Sequence, residues 1–214
     1  MLLLLVGCGE NAPTKPEGVT GRSDVVVGSS AQTSTPVKTG QPSAKPPSVP
    51  RKLCTTPPAA DGKKVPSVEL GHVEAEGATA LSGSIDTGNG SWTWLNLWAG
   101  YCGPCKQEIP LLLQWRGDLA KAQTPMRLAF VSLDDDERQA KKFLDVQPKD
   151  GLRASFLLAE GKPRATFLKE LGLKDPPELP VHVLVDPDGA VRCVIQGAIE
   201  ASDYAQVTKI VAKR

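Results

Sequence analysis

The sequence is poor in the features that identify several common classes of protein. Its 214 residues carry 25 Lys and Arg against 24 Asp and Glu, and only two histidines. A formal net charge of +1 excludes the bulk electrostatic attraction that a strongly basic domain has for nucleic acid. No apolar run approaches the about 18–20 residues that a membrane-spanning helix needs, so the sequence predicts no transmembrane helix.

Aromatic residues are absent before Trp92, and this absence divides the chain. Residues 9–53 contain 7 of the 19 prolines together with many Ser, Thr and Gly. A segment of that composition cannot bury enough apolar surface to offset the entropy that is lost on ordering. We therefore predict a disordered linker over residues 9–53 and one folded domain over residues 54–214.

The first eight residues, MLLLLVGC, are a short apolar run that ends in a cysteine. Residues 5–8 resemble the lipobox of bacterial lipoproteins, in which the signal peptide is cut before the cysteine and the thiol receives a diacylglycerol group. The resemblance implies that residues 1–8 are the remnant of a signal peptide and that Cys8 is lipidated. The alternative is a chance cysteine in an apolar N-terminus, because no Lys or Arg precedes the run.

Helix and strand patterns alternate from Trp92 onward. Residues 91–98 carry large apolar groups on both faces, which is typical of a buried central strand. Two weaker strands, 65–73 and 78–81, are predicted to form a hairpin before it. The order of elements predicts an α/β layer sandwich with a mixed sheet. After the central strand we predict a helix over 103–119, a strand over 126–133, a helix over 137–146, a strand over 153–158, a helix over 164–171, strands over 181–185 and 190–196, and a helix from Ser202 to about residue 212.

The segment Cys102-Gly103-Pro104-Cys105 lies where the buried strand gives way to a helix. At a helix start, the unpaired backbone N–H groups and the helix dipole stabilise a thiolate, and only the thiolate attacks a disulfide. With two residues between them, the two sulfurs can meet in a small ring. The pattern favours disulfide exchange in which Cys102 attacks a substrate and Cys105 resolves the mixed disulfide, with no cofactor.

Two other roles for the cysteine pair fit the sequence less well. A zinc site would need a second cysteine pair or two suitably placed histidines, and neither His72 nor His182 has another ligand near it in the sequence. We therefore predict no metal. A structural disulfide across two residues closes a very small loop and adds little entropic stabilisation.

The segment NLWAGYCGPCKQEIP resembles the active-site motif of the thioredoxin superfamily, specifically of its TlpA and ResA-like branch of extracytoplasmic thiol-disulfide oxidoreductases, NFWATWCxPCxxExP. A second segment, LPVHVLVDPDG at residues 179–189, is similar to that family's PTTFLIDxDG. The resemblance implies a thioredoxin-like three-layer sandwich with a central mixed β-sheet. Departures at Gly100 and Tyr101 are expected to change the rim of the site more than its chemistry. The matching positions in the first segment are Asn96, Trp98, Ala99, Cys102, Pro104, Cys105, Glu108 and Pro110.

The same resemblance assigns the surroundings of the two cysteines. Pro180 is the cis-proline that faces the dithiol. Glu108 is the candidate for moving the resolving proton of Cys105, because the amide of Asn96 cannot do so. The alternative for Glu108 is an ordinary solvated helix residue. The residues expected to bind substrate are Trp98, Tyr101, Gly103, Pro104, Leu179 and Pro180.

Three further side chains need an interpretation. A disulfide between Cys54 and Cys193 would pin the start of the domain to a late strand in an oxidising compartment, and the alternative is two free thiols. His182 is two residues after Pro180 in a strand, and we interpret it as a packed or surface histidine rather than a ligand.

These features predict a monomeric, membrane-anchored lipoprotein of the cell envelope that faces the periplasm or extracytoplasmic space. Its substrates are expected to be protein thiols and disulfides. The dipeptide Gly103-Pro104 is that of thioredoxin, so a reductant is expected. The family resemblance implies recharging by a membrane electron donor and action on apocytochrome thiols, that is, cytochrome c maturation.

Three alternative functions stay open on the same fold. A peroxiredoxin-like peroxidase would need a lone peroxidatic cysteine after a loop that contains Pro and Thr. A copper-delivery protein would need a CxxxC spacing with a nearby histidine, and the spacing here is one residue short. A non-catalytic binding module would function without Cys102.

Overall fold

A computed structural model of the chain describes residues 53–54, 62–81 and 83–212. The interpretations of residues 1–8, of Cys8 and of the linker up to residue 52 lie outside the described residues. Within the described ranges, no helix combines the length and the apolar character that crossing a membrane requires.

Six strands and four α-helices are found in the described part of the chain, and from the second strand onward they follow the predicted order. Residues 201–203 form an additional 3₁₀ turn before the last helix. The elements are β1 (Gly71–Glu74), β2 (Trp92–Trp98), α1 (Gly103–Lys121), β3 (Met126–Ser132), α2 (Glu137–Asp145), β4 (Ala154–Leu157), α3 (Lys162–Glu170), β5 (Val181–Val185), β6 (Val191–Gln196) and α4 (Tyr204–Val211).

All six strands belong to one mixed sheet, in the order β1-β4-β3-β2-β5-β6. β2 pairs in parallel with β3, and β3 in parallel with β4. The remaining pairs, β1 with β4, β2 with β5 and β5 with β6, are antiparallel. Every residue of β2 is buried, as expected for a strand with apolar groups on both faces. The predicted α/β fold with a central mixed sheet is confirmed.

The sheet separates two apolar clusters and so creates three layers. On one face, Trp94 and Trp98 of β2 pack with buried side chains of α1, α2 and α4. On the other face, Leu95 and Leu97 pack with Phe167 and its neighbours in α3. The alternation of side chains along β2 therefore decides which residues lie on the side of α1.

The helix α1 follows the C-terminal end of β2 and carries the cysteine pair. Pro104 lies in its first turn, where a missing N–H has no cost. The helix runs on through Pro110, which is exposed. One face is buried against the sheet, at spacings of three and four residues. The buried residues are Cys105, Glu108, Ile109, Leu112, Trp115 and Leu119.

The predicted hairpin at the start of the domain is wrong. Only residues 71–74 form a strand, and it pairs with β4 at the edge of the sheet rather than with residues 78–81. The chain does turn at Gly77, whose φ is +69°. After the turn, the backbone N–H of Leu81 donates to a carboxylate oxygen of Glu74 at 3.3 Å. This side-chain contact is found where the predicted hairpin would have had hydrogen bonds between two backbones.

The start of the last helix also differs from its prediction. Ser202 does not cap it; residues 201–203 form the 3₁₀ turn, and Glu200 and Asp203 exchange side-chain and backbone hydrogen bonds around it in a capping box. The helix α4 begins after this turn, at Tyr204.

A disulfide joins Cys54 to Cys193 of the edge strand β6, with their Cα atoms 5.2 Å apart. The N–H of Leu53 donates to Oε1 of Gln206 in α4 at 3.0 Å. The closed loop spans a sequence separation of 139 residues. In the chain-entropy model such a crosslink stabilises the fold by up to about 5 kcal/mol.

Candidate active site

The two cysteines of the CGPC segment are joined by a disulfide at the N-terminus of α1, with Cα atoms 5.3 Å apart. Cys102 occupies the N-cap position, and its Sγ accepts a hydrogen bond from the backbone N–H of Cys105 at 3.2 Å. The same N–H can donate to a Cys102 thiolate after reduction. Cys102 is 7% exposed and Cys105 is 0% exposed. An attacking molecule can therefore reach only the first sulfur.

The turn before Cys102 is fastened to the end of β3 by a buried carboxylate. The backbone N–H of Gly100 donates to Oδ2 of Asp134 at 2.8 Å, and the hydroxyl of Ser132 donates to the same oxygen at 2.8 Å. Asp134 is 0% exposed. Its role was not predicted from the sequence, although its position directly after a parallel strand, at the edge where Cys102 lies, was a usable signal.

Gly100 departs from the family motif because no side chain fits at this position. A Cβ atom there would lie 2.5 Å from the backbone oxygen of Gln139 in α2. The packing reason is that α2 passes directly against the active-site turn, and the expected effect of Gly100 on the rim of the site stays a prediction.

Glu108 lies on the buried face of α1, three residues after Cys105, and is 3% exposed. Its Oε1 accepts from Nδ2 of Asn96 at 2.8 Å, and its Oε2 accepts from the backbone N–H of Ile199 at 2.9 Å. Being three residues after Cys105 on the buried face of α1, it shares that face with the inner sulfur. The alternative of a solvated helix glutamate is excluded by this burial.

His182 extends the same polar cluster from β5. It is fully buried, so the surface alternative for this histidine is wrong. Nε1 of Trp94 donates to its Nδ1 at 3.1 Å, and its Nε2 lies 3.5 Å from Oε2 of Glu108. Asn96 is its direct partner in the sheet register. The alternation of β5, which puts Pro180 and His182 on one face, could have placed this histidine near the dithiol.

Four of the predicted substrate-binding residues lie at the surface around Cys102. Gly103 and Pro104 are exposed, Tyr101 is 63% exposed, and Leu179 is half-buried. Pro180 is buried, and the Leu179-Pro180 peptide bond is cis.

Trp98 is not at the rim of the site. It is 0% exposed, its ring lies against Phe143 of α2 at a centroid distance of 5.3 Å, and its Nε1 donates to Oγ of Ser155 at 2.9 Å. Both faces of β2 are covered, so no residue of that strand can contact a peptide. Trp98 packs in the core next to the active-site turn. Its predicted role in substrate binding is wrong.

Tyr101 stands beside a cavity of about 260 Å³ that opens next to the active-site turn. Partial burial raises the pKa of the Tyr101 hydroxyl, and the negative charges of Asp134 and Asp135 raise it further. Tyr101 is therefore a neutral hydroxyl at physiological pH. The other residues that line the cavity are Leu133, Asp135, Glu160, Arg164, Pro176 and Pro177.

Comparisons with known proteins agree with this geometry. Residues 90–191 match the family described as thioredoxin-like. A putative thiol:disulfide interchange protein DsbE from Chlorobium tepidum is 25% identical, with a TM-score of 0.50 over 71% of this chain and 95% of its own. The fold of the described residues is therefore thioredoxin-like, and residues 90–191 are the part that matches the family.

A curated relative matches this chain over a shorter stretch. The thioredoxin-like protein YneN of Bacillus subtilis is 27% identical over 85 residues, which are 40% of this chain and 47% of the relative. The match thus spans about half the length of that protein.

The close approach at Gly100 predicts a large loss of stability on adding one methyl group. Gly100→Ala should lower the free energy of unfolding by about 1–3 kcal/mol, because the backbone of α2 must move. Gly117→Ala is the matched control: it lies in α1 with no atom within 4 Å of the place that its new methyl group would take, and should raise stability by roughly 0.5–1 kcal/mol. Urea denaturation measures both, and equal effects of the two substitutions would refute the packing argument.

Proposed function

We propose that the thioredoxin-like domain is a thiol-disulfide oxidoreductase that reduces disulfides of other proteins. The observation that carries the proposal is the unequal exposure of the two sulfurs at the start of α1. Cys102, at 7% exposure, is the nucleophile, and Cys105, at 0%, is the resolving thiol. The name of the Chlorobium tepidum neighbour, a thiol:disulfide interchange protein, supports the same activity.

The proposed reaction needs no cofactor. The Cys102 thiolate attacks one sulfur of the substrate disulfide, a mixed disulfide forms, and the released substrate thiolate takes a proton from water. The thiol of Cys105 then gives its proton to Glu108 and attacks Sγ of Cys102. The Cys102–Cys105 disulfide forms, the second substrate thiolate leaves and is protonated, and two electrons have passed to the substrate.

Glu108 is proposed as the proton acceptor because Cys105 has no direct access to water. A buried thiol cannot lose its proton to solvent, so a base is needed within the protein. Glu108 is the carboxylate on the buried face of α1, one helical turn from Cys105. Its three-residue offset suits a contact on one helical face.

The direction of electron flow is proposed from the dipeptide between the cysteines. Gly103-Pro104 is the dipeptide of thioredoxin, whose potential is about −270 mV, whereas the oxidant DsbA has about −120 mV. The difference of about 150 mV corresponds to about 7 kcal/mol for two electrons, which is large enough to separate a reductant from an oxidant. A membrane electron donor is the proposed source of electrons, and the proposed substrates are apocytochrome cysteines joined in a disulfide, which the domain returns to thiols.

The proposed location is outside the cytoplasm, with Cys8 as a lipid anchor. The lipobox resemblance of residues 5–8 supports the anchor. The disulfide between Cys54 and Cys193 supports an oxidising compartment, because structural disulfides are rare in the cytosol.

Trapping of mixed disulfides tests the activity. Cys105→Ser should hold substrate proteins on Cys102, because the resolving thiol is gone, and the adducts should disappear on reduction. Non-reducing electrophoresis with mass spectrometry detects and identifies them. Cys102→Ser is the matched control and should trap nothing; equal adducts on both variants, or none on Cys105→Ser, would contradict the assignment.

The redox potential tests the direction. We expect the Cys102/Cys105 couple to lie nearer to about −270 mV than to about −120 mV. Equilibration with glutathione or dithiothreitol buffers, followed by alkylation of the free thiols, measures it. A potential above about −180 mV, the value of protein disulfide isomerase, would assign the domain as an oxidant or isomerase instead.

A separate experiment tests the proposed lipid anchor at Cys8, independently of the disulfide reduction. The full chain expressed in a bacterium should incorporate labelled fatty acid and sediment with membranes. Cys8→Ser should lose both properties and keep its in-vitro disulfide reductase activity, because Cys8 is outside the domain. Fatty-acid labelling that persists in Cys8→Ser would show that the anchor lies elsewhere.

A further inference from the structure

The ring of His182 is held in one tautomer by its neighbours. The indole N–H of Trp94 is a donor only, and it points at Nδ1 of His182 at 3.1 Å. Nδ2 of Asn96 approaches the same ring nitrogen at 3.3 Å. Nδ1 must therefore act as an acceptor, and the single ring proton of the neutral imidazole belongs on Nε2.

The proton on Nε2 faces Glu108. Nε2 has no hydrogen-bond partner among the described residues, and it lies 3.5 Å from Oε2 of the carboxylate. This contact is slightly longer than a good hydrogen bond, but both groups are desolvated, with the side chains of His182 and Glu108 0% and 2% exposed. The N–H of His182 is thus aimed at a carboxylate oxygen that already accepts from Ile199.

The arrangement suits the ionised form of Glu108. An ionised carboxylate only accepts hydrogen bonds, and here donors approach from β2, from β5 and from the backbone after β6. A second proton on His182 would have to sit on Nδ1, opposite the N–H groups of Trp94 and Asn96. His182 therefore faces Glu108 with a ring N–H, as a donor rather than as an acid or a base.

We propose that His182 is a positioning residue for the resolving step: it holds the carboxyl group of Glu108 in the orientation in which Glu108 can accept the proton of Cys105. This inference rests on the proposed function. In the step, the Cys105 proton moves to Glu108, the Cys105 thiolate bonds to Sγ of Cys102, and the bond between Cys102 and the substrate sulfur breaks. The substrate thiolate leaves and takes up a proton, and His182 keeps its own proton throughout.

The other ionisable groups around the pair, within the part of the chain that the structure describes, are few. On α1 they are the two active-site thiols. In the segment that carries Ile199 they are Glu200 and Asp203, which are engaged in the capping box before α4. Cys193 of β6 is held in its disulfide with Cys54 and does not titrate. A slower resolving step on removing His182, with the attack by Cys102 unchanged, can therefore be assigned to the contact of His182 with Glu108.

Ellman's reagent, a small aromatic disulfide with a coloured leaving thiolate, separates the two steps. Reduced protein releases one thiolate when Cys102 attacks and a second when Cys105 resolves. The Cys105→Ser variant gives the first release alone and so supplies its rate. Stopped-flow absorbance across a pH series then yields the rate of each step.

His182→Phe keeps a ring of similar size and removes the N–H. Its attack rate should equal that of the parent. Its resolving rate should fall about tenfold relative to the parent. The reason is that Glu108, without this contact, is no longer held in the orientation in which it accepts the proton of Cys105.

His182→Gln should restore most of the resolving rate, because its amide can accept from Trp94 and donate to Glu108. His72→Gln is the matched control, since His72 is exposed on β1, and both of its rates should be unchanged. The inference is overturned when His182→Phe leaves the resolving profile unchanged, or when it slows attack and resolution by one common factor at every pH.

A measurement on the unmodified chain keeps the inference testable without any variant. Nitrogen-15 NMR at neutral pH should show His182 with the proton on Nε2 and none on Nδ1, in both redox states. The sequence has only one other histidine, His72, which serves as the internal reference. A protonated Nδ1 on His182 overturns the inference. Absence of any second thiolate release from the parent protein instead removes the proposed function itself.

Discussion

A carboxylate that is buried away from water needs hydrogen-bond donors around it, and this requirement determines how the centre of the domain is arranged. Leaving an ionised group buried and unpaired costs several kcal/mol, which is a large part of the stability of an ordinary domain. Glu108 accepts hydrogen bonds from the amide of Asn96 and the backbone N–H of Ile199, and the ring of His182 lies 3.5 Å from its carboxylate. These residues belong to β2, β5 and the segment after β6. The position of α1 over the sheet is therefore tied to three separate parts of the chain.

The same requirement explains why the polar cluster lies where it does. β2 is flanked by β3 and β5, so the end of β2 is the place where a helix start, two neighbouring strands and the segment after β6 can meet. The apolar surroundings, chiefly Trp94 and Trp115 packed edge to face at 5.9 Å, exclude water from the cluster. A dry environment strengthens each contact to Glu108, and it also leaves the inner sulfur without solvent as a proton acceptor.

Much of the fold was predictable because the strongest local patterns agree with the tertiary structure. β2, with large apolar groups on both faces, could only be a central strand, and the cysteine pair marked the start of α1. Residues 65–81 were misassigned because their weak alternation does not indicate which strand they pair with: β1 pairs with β4, which lies far along the chain.

Trp98 was placed wrongly for a related reason. The position of a residue in the motif indicates that it is near the dithiol. It does not indicate on which side of the sheet the ring lies, which here depends on the packing of α2. The roles of His182 and Asp134 in the site were not predicted, because the residues that they contact come from elements far away in the sequence.

The disulfide between Cys54 and Cys193 has a mechanical consequence. A pull on the chain at Leu53 is transmitted first to β6, through the covalent bond, and not to the residues that lead into β1. Force then spreads along the hydrogen-bonded ladder from β6 to β5 and meets the sheet at an edge. If the bond is reduced, the backbone contacts that remain between the described residues before β1 and the start of β6 are those of residues 63 and 64 with Val191 and Ala190. The bond thus directs tension that enters at Leu53 into an edge strand, and the turn that holds Cys102 stays outside the path of the force.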